Sequence, residues 1–145
     1  MKLFDVNVLI YAHRQDLPQH EQARQWWEDQ VNASESFGMV ELVLSSFLRI
    51  VTNSRAFVTP TPVAQALRVV ADIRGRRNHV AVRPGPRHFD IFTSLCQGGN
   101  AKGKLIADAY LAAMAVEHGC RWASYDRDFA RFPGLTWIDP AEDIA

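Results

Sequence analysis

Two hydrophobic periods alternate along this chain and mark its elements. Short apolar runs bounded by turn residues are typical of strands, whereas apolar positions three and four apart indicate helices. Four or five short strands are predicted, within residues 3–6, 37–38, 79–84, 120–126 and 135–138. Six helices are predicted between them, over residues 7–13, 20–32, 40–53, 63–75, 87–97 and 104–119. Strands that alternate with helices indicate a parallel sheet covered on both faces.

Some predicted helices carry informative ends or faces. Thr61 and Pro62 predict the start of helix 63–75, with a hydroxyl cap and proline at the first position. Gly119 predicts where the last long helix ends. The helix over residues 40–53 is apolar on nearly every side, which predicts that it is buried.

Length and composition favour a single domain spanning residues 1–145. A chain of 145 residues, 48% of them hydrophobic, is large enough to bury a core of its own. No run approaches the ~20 apolar residues of a membrane span, and a signal peptide's features are missing at the start. The two cysteines, Cys96 and Cys120, lack metal-ligand spacing, which favours a reduced cytoplasmic protein.

The formal net charge is zero, but the charges are unevenly distributed. Residues 1–48 carry 3 basic and 7 acidic side chains, and residues 105–145 carry the same numbers. The middle segment, residues 49–104, carries 10 basic and 2 acidic side chains. A basic middle indicates a polyanionic partner, with a solvated loop and strand edge at residues 74–88 as the alternative.

Four carboxylates occupy unexpected positions. Asp5 follows the first predicted strand, and Asp126 lies at the end of the strand over residues 120–126, where sites gather in parallel sheets. Glu41 opens the most apolar helix, and Asp108 lies on an apolar helix face. Each has a structural alternative, as a helix cap, a turn residue or a partner of the helix dipole.

If these four acids converge, their mutual repulsion requires a cation. Hard carboxylate oxygens select Mg²⁺ or Mn²⁺, which would bind phosphate oxygens and activate water. The pattern therefore favours in-line hydrolysis of a nucleic-acid backbone, with a metal as the partner of Asp5.

Four stretches together resemble PIN-domain ribonucleases, and most of all the VapC toxins of bacterial VapBC toxin–antitoxin pairs. In chain order they are DVNVLIYAH, VELVLSSFLRIVTN, IADAYLAAMAVEHG and SYDRDFARFPGL, so the resemblance covers the whole chain. It implies a PIN-like three-layer α/β/α fold, an acidic Mg²⁺ or Mn²⁺ site and cleavage of RNA. It also implies a VapB-like antitoxin as partner and a homodimer.

The resemblance assigns roles to particular residues. It implies that the catalytic acids are Asp5, Glu41, Asp108 and Asp126, with Asp5 and Asp108 as metal ligands. Asn7 matches a small polar residue that supports the first acid through a hydrogen bond. Asp128 either assists the fourth acid or caps the following turn.

Four basic residues of the middle segment are candidates for binding RNA phosphates. They flank Glu41 and Asp108 in the sequence, and they are Arg49, Arg55, Lys102 and Lys104. The stretch from Gly98 to Lys104 nearly spells a phosphate-binding loop, but Leu105 replaces the required hydroxyl. A nucleotide triphosphatase is therefore disfavoured.

Two further alternatives remain. Asp5-Val6-Asn7 is similar to the start of aspartyl-nucleophile phosphatases, but Asn7 cannot act as the second acid. A non-catalytic module that binds RNA or a protein, with inert acids, stays open. Metal-dependent RNA cleavage that is lost on Asp5→Asn discriminates between these alternatives and a nuclease.

Overall fold

The structure, a computed structural model, describes residues 1–143 and is built on one parallel sheet of five strands. The strand order is β3-β2-β1-β4-β5, and every neighbouring pair is parallel. The strands are β1 Lys2–Phe4, β2 Phe37–Val40, β3 His79–Val82, β4 Arg121–Ala123 and β5 Trp137–Ile138. The prediction of a parallel sheet of four or five short strands is confirmed.

Six α-helices connect the strands. They are α1 Val6–His13, α2 His20–Val31, α3 Glu41–Val51, α4 Val63–Arg74, α5 His88–Gly98 and α6 Lys104–Glu117. The chain steps from β1 to β2 to β3 in one direction and then returns past β1 to β4. Right-handed crossovers therefore place α1 to α4 on one face of the sheet and α5 and α6 on the other. The result is the three-layer α/β/α arrangement that the resemblance implied.

The central strand β1 joins both layers of the core. Leu3 and Phe4 are both buried, as expected for adjacent residues on the two covered faces of a parallel strand. Phe4 contacts Trp26 and Trp27 of α2 edge to face, at ring-centroid distances of 5.9 and 5.0 Å. The paired tryptophans therefore pack in the core, and they anchor α2 to the middle of the sheet.

Two expectations about helices differ from the structure. Helix α4 begins at Val63, where Pro62 is the cap residue and no side chain caps the helix. The Thr61 hydroxyl instead accepts a hydrogen bond of 3.0 Å from the buried guanidinium of Arg14, which ties this loop to α1. Helix α3 is not buried on nearly every side, since Leu42 near its start is 51% exposed.

Within residues 1–143, no helix combines the length and the apolar character that a membrane span requires. The run before the near phosphate-binding loop is helix α5, which ends at Gly98. A phosphate-binding loop of the expected kind follows a strand, so the structure agrees with rejecting that alternative.

Candidate active site

The acidic residues gather at the point where the strand order reverses. Strand β1 lies between β2 and β4, and the chain leaves β1 and β4 in opposite directions. Ligands of open α/β sheets bind in the crevice at the carboxyl ends of such a strand pair. Asp5 directly follows β1, and Ser124 directly follows β4, so both residues face this crevice region.

Asp5 is held by hydrogen bonds on both carboxylate oxygens. Its Oδ1 accepts a bond of 2.7 Å from the backbone N–H of Val6, which caps helix α1. Its Oδ2 accepts a bond of 2.6 Å from the Ser124 hydroxyl and a longer one, 3.4 Å, from the Asn7 amide. Asp5 therefore is a helix cap, as its structural alternative proposed, and its carboxylate also joins a network between two strands.

The surroundings of Asp5 disfavour its charge. The side chain is only 7% exposed, and burial raises its pKa to about 6 from an ordinary value of 3.8. The hydrogen bond from Ser124 and the backbone bond from Val6 lower this pKa, but the negative charges of Asp108 and Asp126 raise it further. A cation near the Asp5 carboxylate would stabilise its charged form against burial and against the negative charges of Asp108 and Asp126.

Asn7 and Ser124 connect Asp5 to the loop after β4. The Asn7 amide donates a bond of 3.1 Å to the Ser124 hydroxyl oxygen and accepts one of 3.2 Å from the backbone of Tyr125. The Ser124 hydroxyl oxygen also accepts a bond of 3.0 Å from the backbone N–H of Asp126. Asn7 therefore lies within hydrogen-bond distance of Asp5 and Ser124, and its supporting role stays a prediction. Ser124 was not predicted, although a fully buried hydroxyl beside Asp126 is the signal that points to it.

A second acidic group lies where α6 meets the loop after β4. Asp108, Asp126 and Asp128 each place one carboxylate oxygen within 4.8 Å of the others. Asp108 comes from the second turn of α6, whereas Asp126 caps a short 3₁₀ helix, Arg127–Arg131, by accepting a bond of 2.9 Å from the Asp128 backbone. Asp128 is therefore part of the acid group, and Asp126 caps the turn. We call Asp108, Asp126 and Asp128 the acid triad.

Lys104 lies within ion-pair distance of all three acids of the triad. Its ammonium nitrogen lies 3.5 Å from carboxylate oxygens of Asp126 and of Asp128, and 3.8 Å from Asp108 Oδ2. The charges of Asp108 and Asp126 raise the pKa of Lys104. Sequence reasoning expected this lysine at RNA phosphate, and the structure places it between the acids.

One oxygen of the triad has no hydrogen-bond partner. Asp108 Oδ2 is buried, and none of the described residues donates a hydrogen bond to it. Burial raises the pKa of Asp108, and the charges of Asp126 and Asp128 act in the same direction. A buried carboxylate oxygen without a donor is costly, and it is explained when a cation binds there. The hard-oxygen donor set fits Mg²⁺ or Mn²⁺.

Glu41 lies at the same edge of the sheet but outside the acid triad. It follows β2 directly, and its side chain is 52% exposed. Its carboxylate pairs with Arg83 at 3.2 Å and with Arg74 at 4.0 Å. The structure therefore brings together three of the four expected acids around one region and pairs the fourth with arginines.

An apolar groove runs beside the acids. It has a volume of about 590 Å³ and is lined by Asp5 together with residues of α1, α3, α5 and α6. Leu42 and Ile106 are exposed apolar residues of its walls. Asp5 belongs to this lining, whereas Asp108, Asp126 and Asp128 do not.

The other basic candidates lie on the surface. Arg49 is in the last turn of α3, Arg55 is in the loop after it, and Lys102 lies just before α6. All three are exposed, so their charged groups are accessible to a polyanion.

Comparisons with known proteins agree with this architecture. Residues 2–135 match the PIN domain family. Ribonuclease VapC25 of Mycobacterium tuberculosis is 45% identical over 140 residues, which cover 97% of this chain and 99% of that protein. VapC ribonuclease Mb2897 of Mycobacterium bovis is 42% identical over 142 residues, covering 98% and 97%.

Solved structures share the fold at low sequence identity. VapBC2 of Rickettsia felis, crystallised with a DNA fragment from its promoter, matches with a TM-score of 0.69 at 13% identity, covering 94% of this chain and 96% of that one. Mycobacterium tuberculosis VapC20, a toxin that cleaves the sarcin–ricin loop, matches with a TM-score of 0.63 at 15% identity, covering 94% and 99%. The family match over nearly the whole chain and the identity to curated relatives establish that this protein belongs to the PIN-domain family, among its VapC ribonucleases.

Proposed function

We propose that this protein is the toxin of a toxin–antitoxin pair and acts as a Mg²⁺- or Mn²⁺-dependent endoribonuclease. The relatives that cover its full length are named ribonucleases, which supports the reaction class. The observation that carries the metal dependence is the buried Asp108 Oδ2, which lacks a donor and lies among the oxygens of Asp126 and Asp128. Clustered carboxylates of this kind repel one another at neutral pH, and a bound cation relieves that repulsion.

The acid triad is the proposed place of the metal, with Asp5 beside it. Asp108, Asp126 and Asp128 offer oxygens within 4.8 Å of one another, and Asp5 adds a negative charge at the adjacent strand end. These carboxylates would hold a divalent ion, whose chemistry there would be to polarise a phosphate oxygen and to lower the pKa of a water molecule for attack on phosphorus.

The residues around the acids hold them in position. Ser124 fixes the orientation of the Asp5 carboxylate, and Asn7 fixes Ser124 and the backbone of Tyr125. These bonds keep the two strand ends together, so Asp5 and Asp126 do not separate under their mutual repulsion. A rigid arrangement of this kind aligns phosphate and water without reorganisation during the reaction.

Surface arginines and lysines would hold the RNA backbone. Arg49, Arg55 and Lys102 are exposed and free to contact phosphates, which supports their proposed role. Glu41 is the proposed fourth acid, and it would have to leave Arg83 to take part.

An antitoxin protein is the proposed natural inhibitor. Structural neighbours with the same fold were solved as VapBC complexes, which supports a protein partner. We propose that a segment of this partner covers the acids and places an arginine against them, since bidentate guanidinium contacts suit clustered carboxylates. A homodimer and residence in the cytoplasm are part of the same proposal.

Cleavage of RNA by purified protein tests the reaction. Activity should be absent in chelator, restored by Mg²⁺ or Mn²⁺, and poorly supported by Ca²⁺, whose looser coordination positions water badly. Asp108→Asn should lower the cleavage rate by orders of magnitude while the protein stays folded. Asp90→Asn, an exposed acid of α5, is the matched control and should cleave like the parent.

Two results would contradict the proposal. Full cleavage in chelator would exclude the metal, and parental cleavage by a folded Asp108→Asn protein would remove Asp108 from the site. RNA binding without cleavage under any metal condition would favour the non-catalytic module instead. Neutralisation of a toxic chain by the neighbouring reading frame tests the antitoxin separately.

A further inference from the structure

We propose that Lys104 is a resident counter-ion of the acid triad, which occupies the place of the divalent cation in the metal-free protein and leaves when a cation binds. This inference rests on the metal site proposed above and concerns how that site is kept stable and how tightly it binds metal. The ammonium nitrogen of Lys104 lies within 4 Å of a carboxylate oxygen of each of the three acids.

The position of Lys104 on its helix argues for such a role. Lys104 is the first residue of α6, where the positive end of the helix dipole disfavours a cation. The preceding Gly103 has a positive φ of 58°, a conformation that turns the chain into the helix at this residue. The ammonium is therefore in an unfavourable place with respect to its own helix, and the three acids compensate for it.

The contacts of Lys104 are those of a replaceable ion rather than a fixed structural pair. Its distances to the three acids are 3.5 to 3.8 Å, longer than a strong charge-assisted hydrogen bond, and its side chain is 71% exposed. Asp108 Oδ2 stays without a hydrogen bond even with Lys104 nearby. The ammonium lowers the repulsion among the acids but leaves their oxygens available, and the exposed stem can swing into solvent.

A competition between the ammonium and a divalent cation follows from reciprocal coupling. Both are attracted to the same carboxylates, and their positive charges repel each other. Each therefore weakens the binding of the other by the same factor. Removing the ammonium should destabilise the metal-free protein and, at the same time, tighten metal binding, whereas loss of a merely structural residue would not tighten it.

Calorimetric titration of the full-length protein with MnCl₂ at pH 8, together with thermal unfolding in chelator, tests this inference. Lys104→Gln should bind Mn²⁺ about tenfold more tightly than the parent, within the usual range of coupling between two sites. In chelator its thermal midpoint should fall by about 2 °C, and saturating Mn²⁺ should raise the midpoint more than in the parent.

Two matched variants separate charge from structure. Lys104→Arg keeps the positive charge and should bind Mn²⁺ with nearly parental affinity. Lys102→Gln removes a neighbouring exposed charge that makes no ion pair among residues 1–143, and it should leave Mn²⁺ affinity and the midpoint unchanged.

The outcomes distinguish this inference from the proposed function. If the parent and Lys104→Gln bind Mn²⁺ equally, or if the variant binds it more weakly, Lys104 is not a competing counter-ion while the metal site stands. If neither protein binds Mn²⁺, the metal site itself is wrong and this inference fails with it.

Discussion

The Ser124 hydroxyl donates a hydrogen bond of 2.6 Å to Asp5 Oδ2, although 119 positions of sequence separate the two residues. Both side chains are buried, and the bond joins the carboxyl end of β1 to that of β4. It fixes one acid of the site against the loop that carries another, so it links the stability of the sheet to the geometry of the acids.

Ser124→Ala should therefore weaken both folding and catalysis. The substitution leaves a buried carboxylate oxygen without its shortest bond, which lowers the free energy of unfolding by about 1–3 kcal/mol. The RNA cleavage rate should fall as well, because Asp5 loses its orientation. Chemical denaturation and single-turnover cleavage measure the two effects. Ser94→Ala, exposed on α5, is the control, and equal behaviour of both alanine variants would show that the bond is unimportant.

The titration of Asp5 predicts the pH dependence of stability in the absence of metal. Its pKa is raised from 3.8 to about 6, chiefly by burial. Between these values the folded protein keeps a proton that the unfolded chain releases, so the free energy of unfolding falls as the pH rises. Below about pH 4 Asp5 no longer lowers the free energy of unfolding, since its carboxyl group is protonated in both the folded and the unfolded state.

Asp5→Asn removes this titration and isolates its effect. In chelator, the stability of the variant relative to the parent should increase by on the order of 2 kcal/mol between pH 4 and pH 7. Comparing the two pH values cancels the fixed cost of the substitution. Asp29→Asn, exposed on α2, reports the effect of removing a surface charge. A stability difference that is the same at both pH values would contradict the raised pKa.

Acidic and basic substitutions should change RNA binding in opposite directions. In chelator, Asp108→Asn should bind RNA as well as the parent or better, because one repelling charge is gone. Arg49→Gln should weaken binding and reduce its salt dependence by about one phosphate contact. Arg121→Gln serves as control. Arg121 is the first residue of β4, so it lies at the amino end of that strand, whereas the acids lie at the carboxyl ends of the strands. Weaker RNA binding by Asp108→Asn would contradict this division of charge.

Glu41 and Arg83 allow a test of whether their ion pair is functional or only structural. The pair is solvent-exposed, so its loss should cost at most about 1 kcal/mol of stability. If Glu41 acts on RNA, Glu41→Gln should lower cleavage strongly, and Arg83→Gln should not. A double-mutant cycle on cleavage and on thermal unfolding measures this. Equal losses from both single variants would make the ion pair itself the important feature.

Much of the fold was predictable because its elements are marked locally. The apolar runs located all five strands to within a few residues, and Gly119, with a φ of 65°, follows the cap residue at the end of α6, close to where the helix was predicted to end. The exposure of α3 was not predictable, because an apolar helix face can line a groove as well as a core. Leu42 is such a residue: it lines the groove beside the acids.

The acids at the strand ends were predictable as neighbours, but their partners were not. The parallel order places Asp5 and Asp126 at one edge, which follows from the alternation of strands and helices. Glu41 pairs with Arg83, and Lys104 turns toward the acids. Both contacts depend on the directions of the side chains, which the hydrophobic periodicity of the sequence does not predict. Ser124 was not predictable, because a single serine after a strand carries no sequence signal until its burial is known.

The position of β1 in the middle of the sheet has a consequence during synthesis. β1 and Asp5 are synthesised before β2 and β3, whereas β4, the strand on the other side of β1, is synthesised after both. A nascent chain can pair β1 with β2 early, but it cannot seat Asp5 against Ser124 or assemble the acid triad until Asp128 has emerged. The acid centre therefore stays incomplete while β2 and β3 are being synthesised, and it forms only after the loop that follows β4 has been made.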